Sequence, residues 1–160
     1  MTDAGVPQRA IDVFTSFYSQ LEGGATGMIA EAGVEPLTDL VRASELAASP
    51  NGDGAGAVAS TAVIKLNGGL GTSMGMDRAK SLLPVRADLT FLDIIVGQVQ
   101  HVRRTHDVAL PLLFMNSFRT RDDTLAALSR HEDLAVGDLP LDFLQNREPK
   151  LRADDLTPIE

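Results

Sequence analysis

Val63-Ile-Lys-Leu-Asn-Gly-Gly-Leu-Gly-Thr-Ser-Met-Gly-Met-Asp-Arg-Ala-Lys-Ser81 joins a β-branched, apolar run to a loop with glycines at 68, 69, 71 and 75. Hydroxyls follow at Thr72 and Ser73, and an ammonium at Lys80. This is the composition of a phosphate cradle. Glycine removes the Cβ that would hold an anion away from backbone N–H groups, and it accepts the positive φ angles of a tight anion nest. Lys80 adds a movable point charge. Two familiar loops do not fit. A Walker A loop needs Gly-Lys-Ser/Thr, whereas Met76 and Asp77 follow Gly75. The dinucleotide fingerprint needs glycine where Met74 stands.

Around this loop the pattern alternates strands and helices. Ala62 to Leu66 predicts a short buried strand, and Leu110 to Met115 a second. Leu139 to Leu144, with Pro140 near its start, predicts a third. Thr90-Phe91-Leu92-Asp93 has the form of a capping box opening a helix with an apolar stripe of Leu92, Ile95, Val96 and Val99. Thr120 to Asp123 repeats that pattern ahead of Leu125 and Leu128. This order predicts an α/β domain with a mostly parallel sheet. Ligands of such sheets lie beyond the carboxyl ends of the strands, where Asn67, Asn116 and Gln145 all fall.

Upstream, Ile11, Phe14, Phe17, Tyr18 and Leu21 recur at helical spacing and stop at Gly23-Gly24. A second short helix is expected from Met28 to Ala32, closed by Gly33. Pro50 to Gly56 has linker composition, so residues 1–57 read as an N-terminal helical segment and linker, and 58–160 as the α/β domain.

The loop Lys65-Leu66-Asn67-Gly68-Gly69-Leu70-Gly71-Thr72-Ser73-Met74-Gly75 with Ala79-Lys80-Ser81 closely resembles the signature of the eukaryotic-type UTP–glucose-1-phosphate uridylyltransferases. Thr90 to Asp93, Met115-Asn116-Ser117-Phe118 with Thr120 and Thr124, and Gln145-Asn146 with Pro149-Lys150 match in the same order, and Pro36 to Leu40 resembles the family's N-terminal region. The resemblance implies a Rossmann-like, GT-A-like nucleotidyltransferase domain that takes UTP and glucose 1-phosphate with Mg²⁺. It implies Lys80 as catalytic, and Leu66, Asn67, Gly68, Gly69, Leu70, Gly71, Thr72, Ser73, Gly75, Asn116 and Gln145 as substrate-binding. Gln145 would hydrogen-bond uracil, since a carboxamide offers both a donor and an acceptor to the O4 and N3–H edge. Enzymes acting on N-acetylglucosamine 1-phosphate usually carry arginine after the Gly-Thr, where this chain has Ser73. A non-catalytic UTP-binding protein of the same descent is the remaining alternative.

Composition sets outer bounds. The net charge of -8 argues against a nucleic-acid or membrane-surface role. Eight carboxylates against Arg9 and Arg42 fall in the first sixty residues, so the basic groups accompany the loop. There is no cysteine, which excludes disulfides and Cys-based metal sites. A soluble cytoplasmic protein is expected. His101, His106 and His131 sit near helix ends and are not expected to bind metal; Asp122 and Asp123 fit helix-start charges, and Arg78 and Arg86 solvated surface. Family members continue past the Gln145 to Lys150 motif, so the chain is expected to be the front of a longer enzyme, without transferase activity alone and prone to aggregate through uncovered apolar faces.

Overall fold

The computed structural model describes residues 1–46 and 54–159. They fall into two compact units, one built from Met1–Leu46 with Asn146–Glu160 and the other from Ala47–Gln145. The expected linker at Pro50, Asn51, Gly52 and Asp53 lies outside the described residues. Its continuation does not: Gly54–Ala59 is a short helix, α2, whose Val58 packs against the core. That contact, not the intrinsic preference of a glycine-containing run, accounts for the helix.

The first unit carries α1 (Gln8–Glu22), which ends at Gly23 as the spacing predicts. Ile11, Phe14 and Tyr18 are half-buried, while Val13, Phe17 and Leu21 are exposed. The helix expected from Met28 to Ala32 does not form. Only a 3-10 turn over Glu31–Gly33 is present, and Met28 and Ile29 are exposed. So short a segment has no buried surface to offset the cost of helix nucleation. In the same unit Arg147 donates to the Ala4 carbonyl, and Leu151 bridges Pro158.

The second unit holds the sheet. Its strands β1 (Val63–Asn67), β4 (Leu112–Asn116) and β5 (Asp142–Leu144) are parallel and lie in that spatial order. Between β1 and β4 run a small antiparallel hairpin, β2 (Pro84–Arg86) with β3 (Leu89–Thr90), and the helix α3 (Phe91–His106). The hairpin turns at Ala87 and Asp88, both with positive φ, as a turn matching strand twist requires. The helix α4 (Arg121–Leu128) connects β4 to β5. The core is Leu92, Val96 and Val99 of α3 against Leu112 and Phe114 of β4, joined by Leu110, Leu128 and Leu134.

Three expectations change in detail. β1 is not buried on both faces, since Ile64 is 54% and Leu66 65% exposed. The helices cover the face that carries Asn67 and Phe114 and leave the opposite face open. β5 is shorter than Leu139 to Leu144; pairing begins where the Leu141 carbonyl accepts from Phe114 N, because Pro140 has no N–H to give a ladder. Thr120 does not close a capping box, and its hydroxyl instead donates to the Asn67 carbonyl at 2.8 Å.

The other capping box forms as expected and reaches further. Thr90 Oγ1 accepts from Asp93 N, and Asp93 Oδ2 accepts from Thr90 N and Oγ1 at 2.7 and 2.6 Å. The same buried carboxylate receives Arg130 Nη2 at 3.0 Å and meets His131 Nε2 at 2.8 Å. It therefore clamps the start of α3 to the segment after α4. Burial alone would raise the Asp93 carboxyl, but the hydrogen bonds from Thr90, then His131 and the charge of Arg130, outweigh it and hold the group below its ordinary value. A carboxyl depressed in the folded state stabilises above its unfolded value and loses that contribution as pH falls through its folded value. Asp93→Asn is expected to cost on the order of 1–3 kcal/mol at neutral pH. The gap to the wild type should close only in strong acid, below the ordinary carboxylate range, as read by urea unfolding across pH.

Candidate functional site

The three parallel strands end level. Asn67 pairs with Asn116, and Asn116 with Leu144, so the segments leaving β1, β4 and β5 emerge side by side. Asn67 organises that edge. Its Nδ2 donates to Asn116 Oδ1 at 2.9 Å and Thr124 Oγ1 at 2.8 Å, and its Oδ1 accepts from Ser81 Oγ at 2.6 Å. Thr124 Oγ1 in turn donates to the Thr120 carbonyl at 2.6 Å. Asn67, Ser81, Asn116, Thr120 and Thr124 are all buried. Asn116 Nδ2 donates onward to Asp142 Oδ2, which Arg121 grips with Nε at 2.7 Å. The hydrogen bond from Arg121 holds the Asp142 carboxyl below its usual value, against burial, with Asn116 assisting.

The loop after β1 closes on itself. Lys80 N donates to Gly69 O at 3.0 Å and Gly71 N to Arg78 O at 3.2 Å, with Leu70 bridging Ala79. A 3-10 turn over Thr72–Met74 forms the tip and ends at Gly75, whose φ of 70° is the left-handed conformation that favours glycine. Thr72, Ser73 and the Lys80 side chain are exposed.

Gly68 and Gln145 meet across the strand ends. Gln145 N donates to Asn116 O at 2.8 Å, continuing the ladder past β5. A Cβ on Gly68 would stand 3.0 Å from Gln145 Cδ and closer still to its Oε1. Only glycine lets the carboxamide reach that backbone. Beside them opens a cavity of about 570 Å³ lined by Leu66, Gly69 and Met74 with Leu83, Phe91 and Ile95, and by the lysines 65 and 80.

The profile of the UTP–glucose-1-phosphate uridylyltransferases matches residues 11–160. This chain belongs to that family. It is 43% identical over 97 residues to the uridylyltransferase of Solanum tuberosum and 43% identical over 98 residues to that of Saccharomyces cerevisiae, each match covering 61% of the chain. It spans only 20% and 19% of those two proteins. Among solved structures, a mutant UDP-glucose pyrophosphorylase from Leishmania major in complex with UDP-glucose superposes with a TM-score of 0.88 at 34% identity, covering 99% of this chain and 33% of that one. A UDP-glucose phosphorylase from Trypanosoma brucei gives 0.83 at 34% identity, with 99% and 34% covered. The α/β nucleotidyltransferase fold expected of a uridylyltransferase is therefore present.

Within this uridylyltransferase family fold, the residues expected to touch substrate separate into two groups. Leu66, Gly68, Gly69, Thr72, Ser73, Lys80 and Gln145 gather at the strand ends, the loop and the cavity. Asn67, which also lines the cavity, and Asn116 use their side-chain amides within the protein. Both are buried, and they hold the strand ends in place. The N–H groups of Gly71 and Gly75 are also taken within the loop, by Arg78 O and Thr72 O, so both glycines shape the loop through their backbone. Leu70 serves the neck of the loop through its bridge to Ala79.

Sequence reasoning missed Ser81, Thr124 and Asp142 as parts of this network. The placement of Ser81 directly after Lys80 was the one local signal. Arg78 lies 3.8 Å from Asp77, both exposed, as its surface reading predicts.

Two substitutions test the arrangement. Asn67→Ala strands the polar groups of Ser81, Asn116 and Thr124, and at about 1–3 kcal/mol for a buried unsatisfied group it should lower stability by more than any surface change, measured by denaturant unfolding. Gly68→Ala should leave the unfolding midpoint within roughly 1 kcal/mol, because Gln145 is a side chain that can swing away, yet it should shift the Gln145 side-chain amide resonances.

Proposed function

We propose that this chain forms the nucleotide-binding part of an enzyme that transfers uridylyl from UTP to glucose 1-phosphate, releasing UDP-glucose and pyrophosphate. The observation that carries the reading is the convergence of the Gln145 carboxamide, the Gly68-Gly69 backbone and Lys80 on one edge of the sheet, in a chain of this family. A phosphate oxygen of glucose 1-phosphate attacks the α-phosphorus of UTP, and the bond to the pyrophosphate oxygen breaks. Both reactants are anions, so the chief tasks are orientation and relief of repulsion.

Each residue then has a defined task. Gln145 offers its carboxamide to the uracil edge while the backbone at Leu66, Gly68 and Gly69 frames the base. Lys80 places its ammonium by the phosphates and takes up charge as pyrophosphate leaves; its backbone is fixed by the bond to Gly69 O. No protein nucleophile is needed. Mg²⁺ is the metal the family resemblance implies. Among the described residues no three His, Cys, Asp or Glu side chains gather to hold a metal ion, so the steps assigned here use the chain's own side chains and backbone. Among the described residues no helix is long and apolar enough to cross a membrane, and we infer a cytoplasmic setting from that together with the lack of cysteine.

Isothermal calorimetry on the 160-residue chain is expected to show UTP binding that is stronger than CTP binding and lost in Gln145→Ala. UDP-glucose formation in the same sample is expected to be absent, since the chain spans a third of the solved relatives. Equal affinity for CTP and UTP would remove the role of Gln145, and no nucleotide binding at all would sink the reading.

A further inference from the structure

Lys65 breaks the pattern of its strand. It shares the helix-covered face of β1 with Val63 and Asn67, and its partner across the ladder is Phe114, which is fully buried. An apolar residue is what that position calls for. Lys65 is half-buried, has no carboxylate within ion-pair distance among the described residues, and donates to the carbonyl of its own neighbour Leu66. One neutral acceptor leaves most of the hydrogen-bonding capacity of an ammonium unused. The ammonium end is exposed, where an anion could complete its bonding.

The surroundings specify the anion's place. Lys65 and Lys80 line the same cavity of about 570 Å³, and no acidic residue is among those lining it. The loop supplies Gly69, Met74 and Ser81 to the same wall. Resting on the UTP reading above, we propose that Lys65 is a second cation for the triphosphate, approaching it from the strand side while Lys80 approaches from the loop. Two cations on opposite sides restrain a flexible polyphosphate better than one, because each removes a different direction of motion. Such a role also explains why a charge persists on the core face of a strand, since departures from the local pattern concentrate at functional positions.

A competing role is purely structural. β1 lies at the edge of its sheet, and an inward-pointing lysine is a known guard against edge-to-edge pairing. Lys65→Met keeps the apolar stem and removes the charge, and Lys65→Arg keeps the charge. Calorimetric titration of wild type and both variants with UTP and with uridine separates the two roles. A contact to phosphate predicts about tenfold weaker UTP binding in Lys65→Met, recovery in Lys65→Arg, and uridine affinity unchanged throughout. If Lys65→Met binds UTP as tightly as the wild type, the proposal is wrong; self-association of that variant by sedimentation velocity would then assign Lys65 to edge protection. A wild type that binds uridine and UTP equally would overturn the phosphate role of the cavity as a whole. A wild type that binds neither would instead overturn the underlying nucleotide reading.

Discussion

The side chain of Asn67 is the constraint from which the site follows. A carboxamide buried at the end of a strand must find partners for two donors and an acceptor, or destabilise the fold by the desolvation of each. Here every requirement is met by a different element: β4 through Asn116, α4 through Thr124 and the turn before the hairpin through Ser81. Even its backbone carbonyl is claimed, by Thr120. Few other arrangements of these elements would satisfy the same set. The network therefore fixes where β1 ends, and so where the loop of glycines begins.

With the strand ends level, chemistry becomes possible at their edge. Gln145 continues the ladder, and its carboxamide reaches backbone that only glycine leaves accessible. The loop is held by its own neck at Gly69, Gly71, Arg78 and Lys80, so its exposed tip is carried on a fixed base. The far face of the sheet is less complete. Ile64, Leu66 and Phe143 remain exposed there, although parallel sheets as a rule are covered on both faces. The chain also spans only a third of its solved relatives.

Elements specified by contacts close in sequence were legible in advance. The box of Thr90 and Asp93 and the stripe Leu92, Val96 and Val99 lie within ten residues and need no tertiary knowledge. The end of α1 at Gly23 and the strand before Asn116 are of the same kind. Thr120 shows the limit. Its local pattern is that of a cap, but a carbonyl on β1 competes for the same hydroxyl and prevails because it would otherwise be buried without a partner. Met28 to Ala32 and Gly54 to Ala59 fail in opposite directions, one for want of a surface to pack against and the other because Val58 finds one.

By itself the sequence determined the alternation of strand and helix, the glycine loop with its hydroxyls and lysine, and a family resemblance that the profile and solved relatives support. Tertiary structure alone decided which polar residues face inward. Asn67 and Asn116 turn into the protein, Asp93 gathers Arg130 and His131 from beyond α4, and Lys65 comes to share a cavity with Lys80. The reason is physical: these partners are fourteen to fifty-seven residues apart, and their meeting depends on the register of β1, β4 and β5. Hydrophobic periodicity specifies which face of a strand is buried, but it carries no information about which hydrogen-bonding groups will stand opposite once that face closes.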